Sequence, residues 1–456
     1  MNLKLQNNCY PISQKSDIEQ LKEQLTANQK SELDWLLALR HAEIENFSQQ
    51  ALAHRKMEHW KYNDVYFLMD KTFELYTDEY LKPDILEQVK EKIEQEFKHT
   101  QSIIFTFIDG HWIEALSSNA ASSSVSSTLF SQANAEQISF INKQLKANQQ
   151  SRNSFIQLNN GLCADGLLIE VSKQHKIEQP IILLQFKTQA AQNHISGCQI
   201  LVKAEQSSQF QLAEYGFVLK SNTSEKKQAL HLSLAQTQIY LAPCSQCQYY
   251  RIHAESEDAC QIARCVISLD TQAELKAFFY AEGSQINKLD LDVLHIGQHS
   301  TSDLVGVYLP RFEQNIDFHT TLEHRVANCQ SREVFRGIMA DSSTATFNGK
   351  IHIFQDAQKT DAQLNNKNLL LTNQATINTK PELEIYADDV VCAHGATVAE
   401  IDADAIYFLQ TRGIGQTRAK KMLSVGFIQE LIEKMPESAI RQDITQRAQI
   451  CLSNIQ

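Results

Sequence analysis

Leu289-Asp290-Leu291-Asp292-Val293-Leu294 alternates apolar and acidic residues, and an extended strand sends such a pattern to two opposite faces. The signature recurs from about Asp165 to Ile401. Gly166-Leu167-Leu168-Ile169-Glu170-Val171, Ile181-Ile182-Leu183-Leu184, Gln199-Ile200-Leu201-Val202, Phe210-Gln211-Leu212, Leu275-Lys276-Ala277-Phe278-Phe279 and Lys350-Ile351-His352-Ile353-Phe354 are short apolar pieces between polar turns. No helical pattern interrupts them, which excludes an alternating α/β sheet. A sandwich also fits the strands, but a core of this length made of short strands is more easily stacked than wrapped. Turns at Ser342-Ser343-Thr344, Asp356-Ala357-Gln358, Asn373-Gln374-Ala375 and Gly395-Ala396-Thr397 fall within the spacing of solenoid half-coils. The expectation is a mainly β chain with helical ends and a parallel β-helix core over 161–401.

Outward from that core the period changes. Ile18, Leu21, Leu25, Leu33, Leu36, Leu37, Leu39 and Ile44 recur near helical spacing, which predicts helix from Ser16 to Met57. A second helix opens at Pro83, a residue suited to a first turn. Ile103 to Trp112 reads as strand and turn, and the Ser-rich run 116–128 as an exposed loop. Residues 1–160 thus form an N-terminal helical domain. After Asp402, amphipathic segments broken at Arg412-Gly413-Ile414-Gly415 predict a helical domain over 402–456.

Composition narrows the function. With 456 residues, 43% of them hydrophobic, the chain can bury a large core. Its 54 acids against 42 bases give a net charge of −12, which argues against nucleic acid or an anionic membrane as partner. The amino terminus has no apolar signal core and no stretch is long enough to span a bilayer, so a cytoplasmic location is expected. Ten cysteines scattered through such a chain should be thiols there. No phosphate-binding loop, Gly-x-Ser-x-Gly elbow, His-Glu-x-x-His or dinucleotide fingerprint occurs, so the chain is not expected to be an enzyme. A polysaccharide-cleaving solenoid would need paired carboxylates facing a groove. Asp388-Asp389 and Asp402-x-Asp404 are the close acidic pairs near the end of the core, and strand and helix-cap roles account for them.

Two constellations could hold metal. Cys392 and His394 stand two apart in a strand, side by side on one face, a pair suited to iron or zinc. Two ligands do not close a site, so others would come from elsewhere, and the competing reading is a Cys and a His that merely lie near a turn. Cys244-x-x-Cys247 with Cys260 and Cys265 could complete a tetrahedral zinc site, making the chain a stand-alone zinc- or iron-binding protein; the alternative is structural thiols on neighbouring strands. His319, His324 and His352 lie singly in strand-rich sequence, where a hydrogen-bonded structural role is the default.

Ser331-Arg332-Glu333-Val334-Phe335-Arg336-Gly337, Lys380 to Val390, Cys392-Ala393-His394-Gly395-Ala396-Thr397 and Phe408 to Ile414 closely resemble the SufB/SufD family of the SUF iron-sulfur cluster assembly system. Glu58-His59-Trp60-Lys61-Tyr62 and Gln209 to Tyr215 extend the likeness toward the amino terminus. Ala375 and the Cys-x-His at 392–394 stand where SufB-type chains have a Cys and a Glu-His-Glu, so the resemblance is to the SufD type. It implies a right-handed β-helix acting as a non-catalytic scaffold, paired with SufB through the end of the β-helix and docking the SufC ATPase on its C-terminal helices. Ile406, Leu409, Arg412, Gly413, Ile414, Met422 and Phe427 are the expected SufC-binding residues. Cys392 and His394 would help hold a transient iron-sulfur cluster shared with SufB. Whether the complex also binds a flavin is left open by the sequence.

Overall fold

The computed structural model describes residues 9–11, 34–50, 53–63, 65–69, 71–75, 81–98, 100–118, 124–147, 153–188, 193–219, 229–254 and 259–453. The period-two segments form strands that stack as coils of a parallel β-solenoid. The coils are built from β1 (Ile181–Lys187), β2 (His194–Ala204), β3 (Gln209–Val218), β4 (His231–Leu241), β5 (Gln246–Ala254), β6 (Ala259–Leu269), β7 (Glu274–Glu282) and β8 (Ile286–His295), followed by β9 (Thr301–Leu309), β10 (Asn315–His324), β11 (Gln330–Met339), β12 (Thr344–Ile353), β13 (Asp361–Leu370), β14 (Thr376–Ile385) and β15 (Val391–Glu400). Odd strands lie in a 10-stranded sheet and even strands in an 11-stranded one. One coil sets Asp290 beside His319, 29 residues on; the longest set His194 beside His231 and Gln209 beside Gln246, each 37 on.

Alternation in each strand sends one set of side chains into the lumen. There Phe279, Phe318, Phe335 and Phe347 form a spine with ring centroids 5.0 to 6.1 Å apart, each contact adding about 0.5–1.5 kcal/mol beyond burial. The opposite faces are covered by helices. α1 (Asp34–Gln49), α2 (Pro83–Phe97), α3 (Ala135–Ala147) and α4 (Ser154–Leu162) precede the coils, and α5 (Ala403–Gln410), α6 (Gln416–Ile432) and α7 (Ala439–Ser453) follow them. Ile428, Leu431, Ile432, Ile440 and Ile444 pack onto Ile252, Tyr280, Val307 and Ile338 of the odd sheet. Asp402 caps α5 by accepting the Asp404 N–H at 2.9 Å, and Gly413, at φ +80°, supplies the left-handed turn that separates α5 from α6.

The amino-terminal end of the solenoid is closed. Ile103–Ile108 extends the odd sheet and turns back as a hairpin. Leu167–Val171 extends the second half of β2 and Thr72–Leu75 its first residues. Between those two strands Asn159 of α4 donates to the Cys198 carbonyl at 3.1 Å and accepts its N–H at 3.0 Å, doing for the backbone what a neighbouring strand would.

Two local readings change. Of the helix expected over 16–57, Asp34–Gln49 is helical, residues 16–33 lie outside the described residues, and Glu58–Trp60 is a separate 3-10 turn. The Ser-rich run, read as a loop, ends in a strand, Val125–Leu129, antiparallel to Leu167–Val171. Its Ser and Thr side chains hide the strand because ladder hydrogen bonds, with Val125 alone fully buried, hold it in place.

Candidate functional site

The last coil has no successor. Among the described residues β14 pairs only with β12, and β15 only with β13. Each terminal strand therefore presents a row of backbone groups to whatever comes next, as an unprotected sheet edge does. Around this edge Val391 and Tyr386 are 64% and 63% exposed, and Val398 and Ile385 are exposed as well.

Cys392 and His394 sit on that edge. Their register neighbours on β13 are Ala362 and Leu364, both buried in the lumen, so the pair faces the mouth of the solenoid from one side of β15. Cys392 is half-buried against the core, and burial raises its thiol above the ordinary value. His394 is exposed. No third His, Cys, Asp or Glu joins them among the described residues.

The cysteine quartet does not converge. Cys260 and Cys265 are five apart on β6 and so face opposite ways: Cys265 joins Cys247 in the lumen, while Cys260 packs beneath the amino-terminal segment. Cys244 is exposed at a turn with φ +60°. Burial pushes the Cys265 thiol up to about 12 and raises Cys247 too. The tetrahedral site weighed from spacing is replaced by structural thiols, because strand alternation separates what sequence proximity suggested.

Of the expected tail residues, Arg412, Gly413 and Met422 are exposed and Ile406, Leu409 and Ile414 half-buried. Phe427 turns toward the solenoid. Arg336 lies 5.3 Å from its ring and 2.7 Å from Glu430, anchoring α6 to β11. Tyr407, 68% exposed, and Phe408 present a larger apolar face on α5 than any residue singled out from periodicity.

Sequence reasoning missed the buried polar groups, which become visible only in register. Glu214, from the Gln209–Tyr215 landmark, sits in the lumen with Gln185 at 2.9 Å, Thr237 at 3.0 Å, Tyr249 at 2.7 Å and Arg251 as ion partner. Burial alone would raise its carboxyl, but Arg251, His253 and Tyr249 bring it down to about 2. His59 and Trp60 dock on β8 and β10: His59 Nε2 lies 3.0 Å from Asp290, and Lys288 lies 4.9 Å from the Trp60 ring. Among the described residues three clusters place ligand atoms within 4.8 Å of one another, namely His59–Asp290–His319, Asp109–His194–His231 and His295–His324–Cys329.

The first two clusters are already filled. The Lys288 ammonium is 3.2 Å from Asp290 and 2.8 Å from Asp317, supplying the positive charge a cation would bring. Thr188 holds both Asp109 oxygens, at 2.9 and 2.5 Å, and His231 is bonded to Ser196 at 2.8 Å and the Thr188 carbonyl at 3.2 Å.

Comparison with known proteins gives this architecture its family. Residues 186–427 match the model for the SUF system FeS cluster assembly SufBD core domain, and residues 13–183 match that for the SufBD protein N-terminal region. The chain is 27% identical over 406 residues to the iron-sulfur cluster assembly protein SufD of Escherichia coli, covering 89% of this chain and 90% of that one. It is 24% identical over 432 residues to an iron-sulfur cluster assembly SufBD family protein of Synechocystis, covering 94% of each. It is also 28% identical over 148 residues to SufD of Bacillus subtilis, covering 32% and 34%. With the core model alone spanning more than half its length, and with the β-solenoid between helical regions seen here, the chain belongs to the SufBD family of iron-sulfur cluster assembly proteins.

Proposed function

We propose that the chain is a non-catalytic, cytoplasmic scaffold subunit of SUF cluster assembly. It pairs with a SufB-type partner through the open end of the solenoid and carries a SufC-type ATPase on its C-terminal helices. The observation that supports this reading best is the position of Cys392 and His394, two metal-ligand residues on the lumen-facing side of a strand whose other edge has no partner. A neutral imidazole and a thiolate suit iron, and a second solenoid docked on the edge can bring the remaining ligands. An iron-sulfur cluster held there would be shared and passed on. The exposed Tyr407, Phe408 and Met422 give the ATPase an apolar face of the kind that marks contact sites.

Co-expression of the tagged chain with SufB- and SufC-type partners, followed by iron and sulfide analysis of the purified complex, tests the reading. His394→Ala should cut cluster content at least about tenfold with the complex intact, since an absent ligand is not replaced by neighbouring packing. Cys392→Ser should have a similar or milder effect. Deleting residues after Asp402 should remove the ATPase and leave the SufB-type partner bound. Normal cluster content in His394→Ala would overturn the site, and ATPase retained by the truncated chain would overturn the docking surface.

A further inference from the structure

In the third cluster one of the buried ring nitrogens, His324 Nδ1, has no hydrogen-bond partner. His295 ends β8, and His324, its register neighbour on β10, ends the next coil. Cys329 lies on the turn into β11, just beneath residues 325–328, and all three side chains are buried. The two imidazoles stack with centroids 4.3 Å apart and planes at 10°.

Each ring has a hydroxyl behind it. His295 Nε2 is 3.0 Å from Ser302 Oγ, and His324 Nε2 is 2.9 Å from Ser331 Oγ. Such partners orient metal-binding imidazoles from the second sphere. One ring nitrogen of each His and Cys329 Sγ lie within 4.8 Å of one another. His324 Nδ1 is buried with no hydrogen-bond partner, an arrangement that is costly unless something binds there. His295 Nδ1 is 2.8 Å from Ser300 Oγ, which itself donates to the Gly297 carbonyl and lies 3.4 Å from Cys329 Sγ. Cys329 Sγ otherwise makes long contacts of 3.4 and 3.5 Å to the carbonyls of Gly297 and Ala327.

We propose that His295, His324 and Cys329 form a binding site inside the solenoid for a borderline divalent metal ion, Zn(II) or Fe(II), with Ser300 Oγ or a water at the fourth position. Two imidazoles and a thiolate are a ligand set of matching softness, and three protein ligands with one open position is an established coordination pattern for zinc. No carboxylate or ammonium competes within the cluster. Binding requires the rings to open from their stack so that both Nδ1 lone pairs meet the ion. His295 must carry its proton on Nε2, where Ser302 can accept it, and the Cys329 thiol must release its proton to solvent. One proton therefore leaves for each ion bound.

The site stands apart from the terminal pair. Ser331, beside His324, is separated from Cys392 by the Ala362 position, so one whole coil intervenes. The inference does not depend on the proposed scaffold role.

The test uses the full chain, reduced and freed of metal, titrated with Co(II) and with Zn(II) in competition with a chromophoric chelator. Wild type should take up one equivalent, with a thiolate-to-Co(II) charge-transfer absorption. Cys329→Ser should abolish that absorption, His324→Gln should weaken Zn(II) binding at least tenfold, and the double variant Cys392→Ser/His394→Ala should retain both. Because Cys329→Ser alters a buried corner, thermal melts accompany each titration, and His324→Gln decides the matter if Cys329→Ser melts early. No stoichiometric binding by wild type, an absorption that survives Cys329→Ser, or one lost in the 392/394 variant would each overturn the site.

Discussion

At the amino-terminal end of the solenoid the first coil meets hairpins, a buried helix and the side chain of Asn159; at the carboxy-terminal end no further strand among the described residues pairs with the last coil. Both ends begin from the same problem, a strand with backbone groups on its free side. At one end the chain satisfies those groups itself, down to a single amide bridging the gap at Cys198. At the other it leaves Val391 and Val398 exposed and a Cys-x-His at the mouth of the lumen. One end is therefore closed by its own chain, and the other is the surface on which the proposed partner would dock.

The contrast breaks most readily at the closed end. Phe155, fully buried in α4 against Trp60 at 5.5 Å, should cost about 3–5 kcal/mol when changed to Ala, measured by urea unfolding of the isolated chain. A loss below about 1 kcal/mol would mean that the capping helix is not integral to the stack.

Between the ends, Glu333 tests how dry the lumen is. Burial pushes its carboxyl up to about 8, with Thr320 offsetting little of the shift. An acid raised in the folded state stabilises fully below its unfolded value, near 4.5, and loses that contribution as pH rises through about 8. Glu333→Gln should therefore match wild type near pH 4 and exceed it at pH 9 by on the order of 3 kcal/mol. Parallel stability curves for the two proteins would show that water reaches the carboxyl.

Smallest in stability and sharpest in meaning is Val398→Lys on the open edge. The isolated chain should change by no more than about 0.5 kcal/mol, while capture of a SufB-type partner should fall severalfold. A destabilised isolated chain would make the edge part of the core after all.

How much of this was legible depends on what each signal encodes. Leu289 to Leu294 declares a strand because alternation is local, and Gly413 declares a helix break because its conformation is local. The side-by-side placement of Cys392 and His394 follows from the same period. Which residues meet between coils is not local. Coil length drifts between 26 residues, Cys260 to Ile286, and 37, Gln209 to Gln246, so His295 over His324, or Glu214 beside Arg251, cannot be counted off the sequence. The cysteine quartet shows the converse: nearness in sequence is not nearness of side chains, and the reading of structural thiols on neighbouring strands holds because an odd spacing on β6 sends Cys260 and Cys265 apart.

The constant parallel register also sets a clock. Each coil closes a loop of about the same few tens of residues onto the one before it, so its contacts have low sequence separation for a β protein, and folding can advance coil by coil without waiting for distant strands to meet. Unfolding should run in reverse from the end with no cap. Amide hydrogens of β14 and β15 should exchange first, those of β2 and β4 last, and a docked partner should slow the earliest of them most.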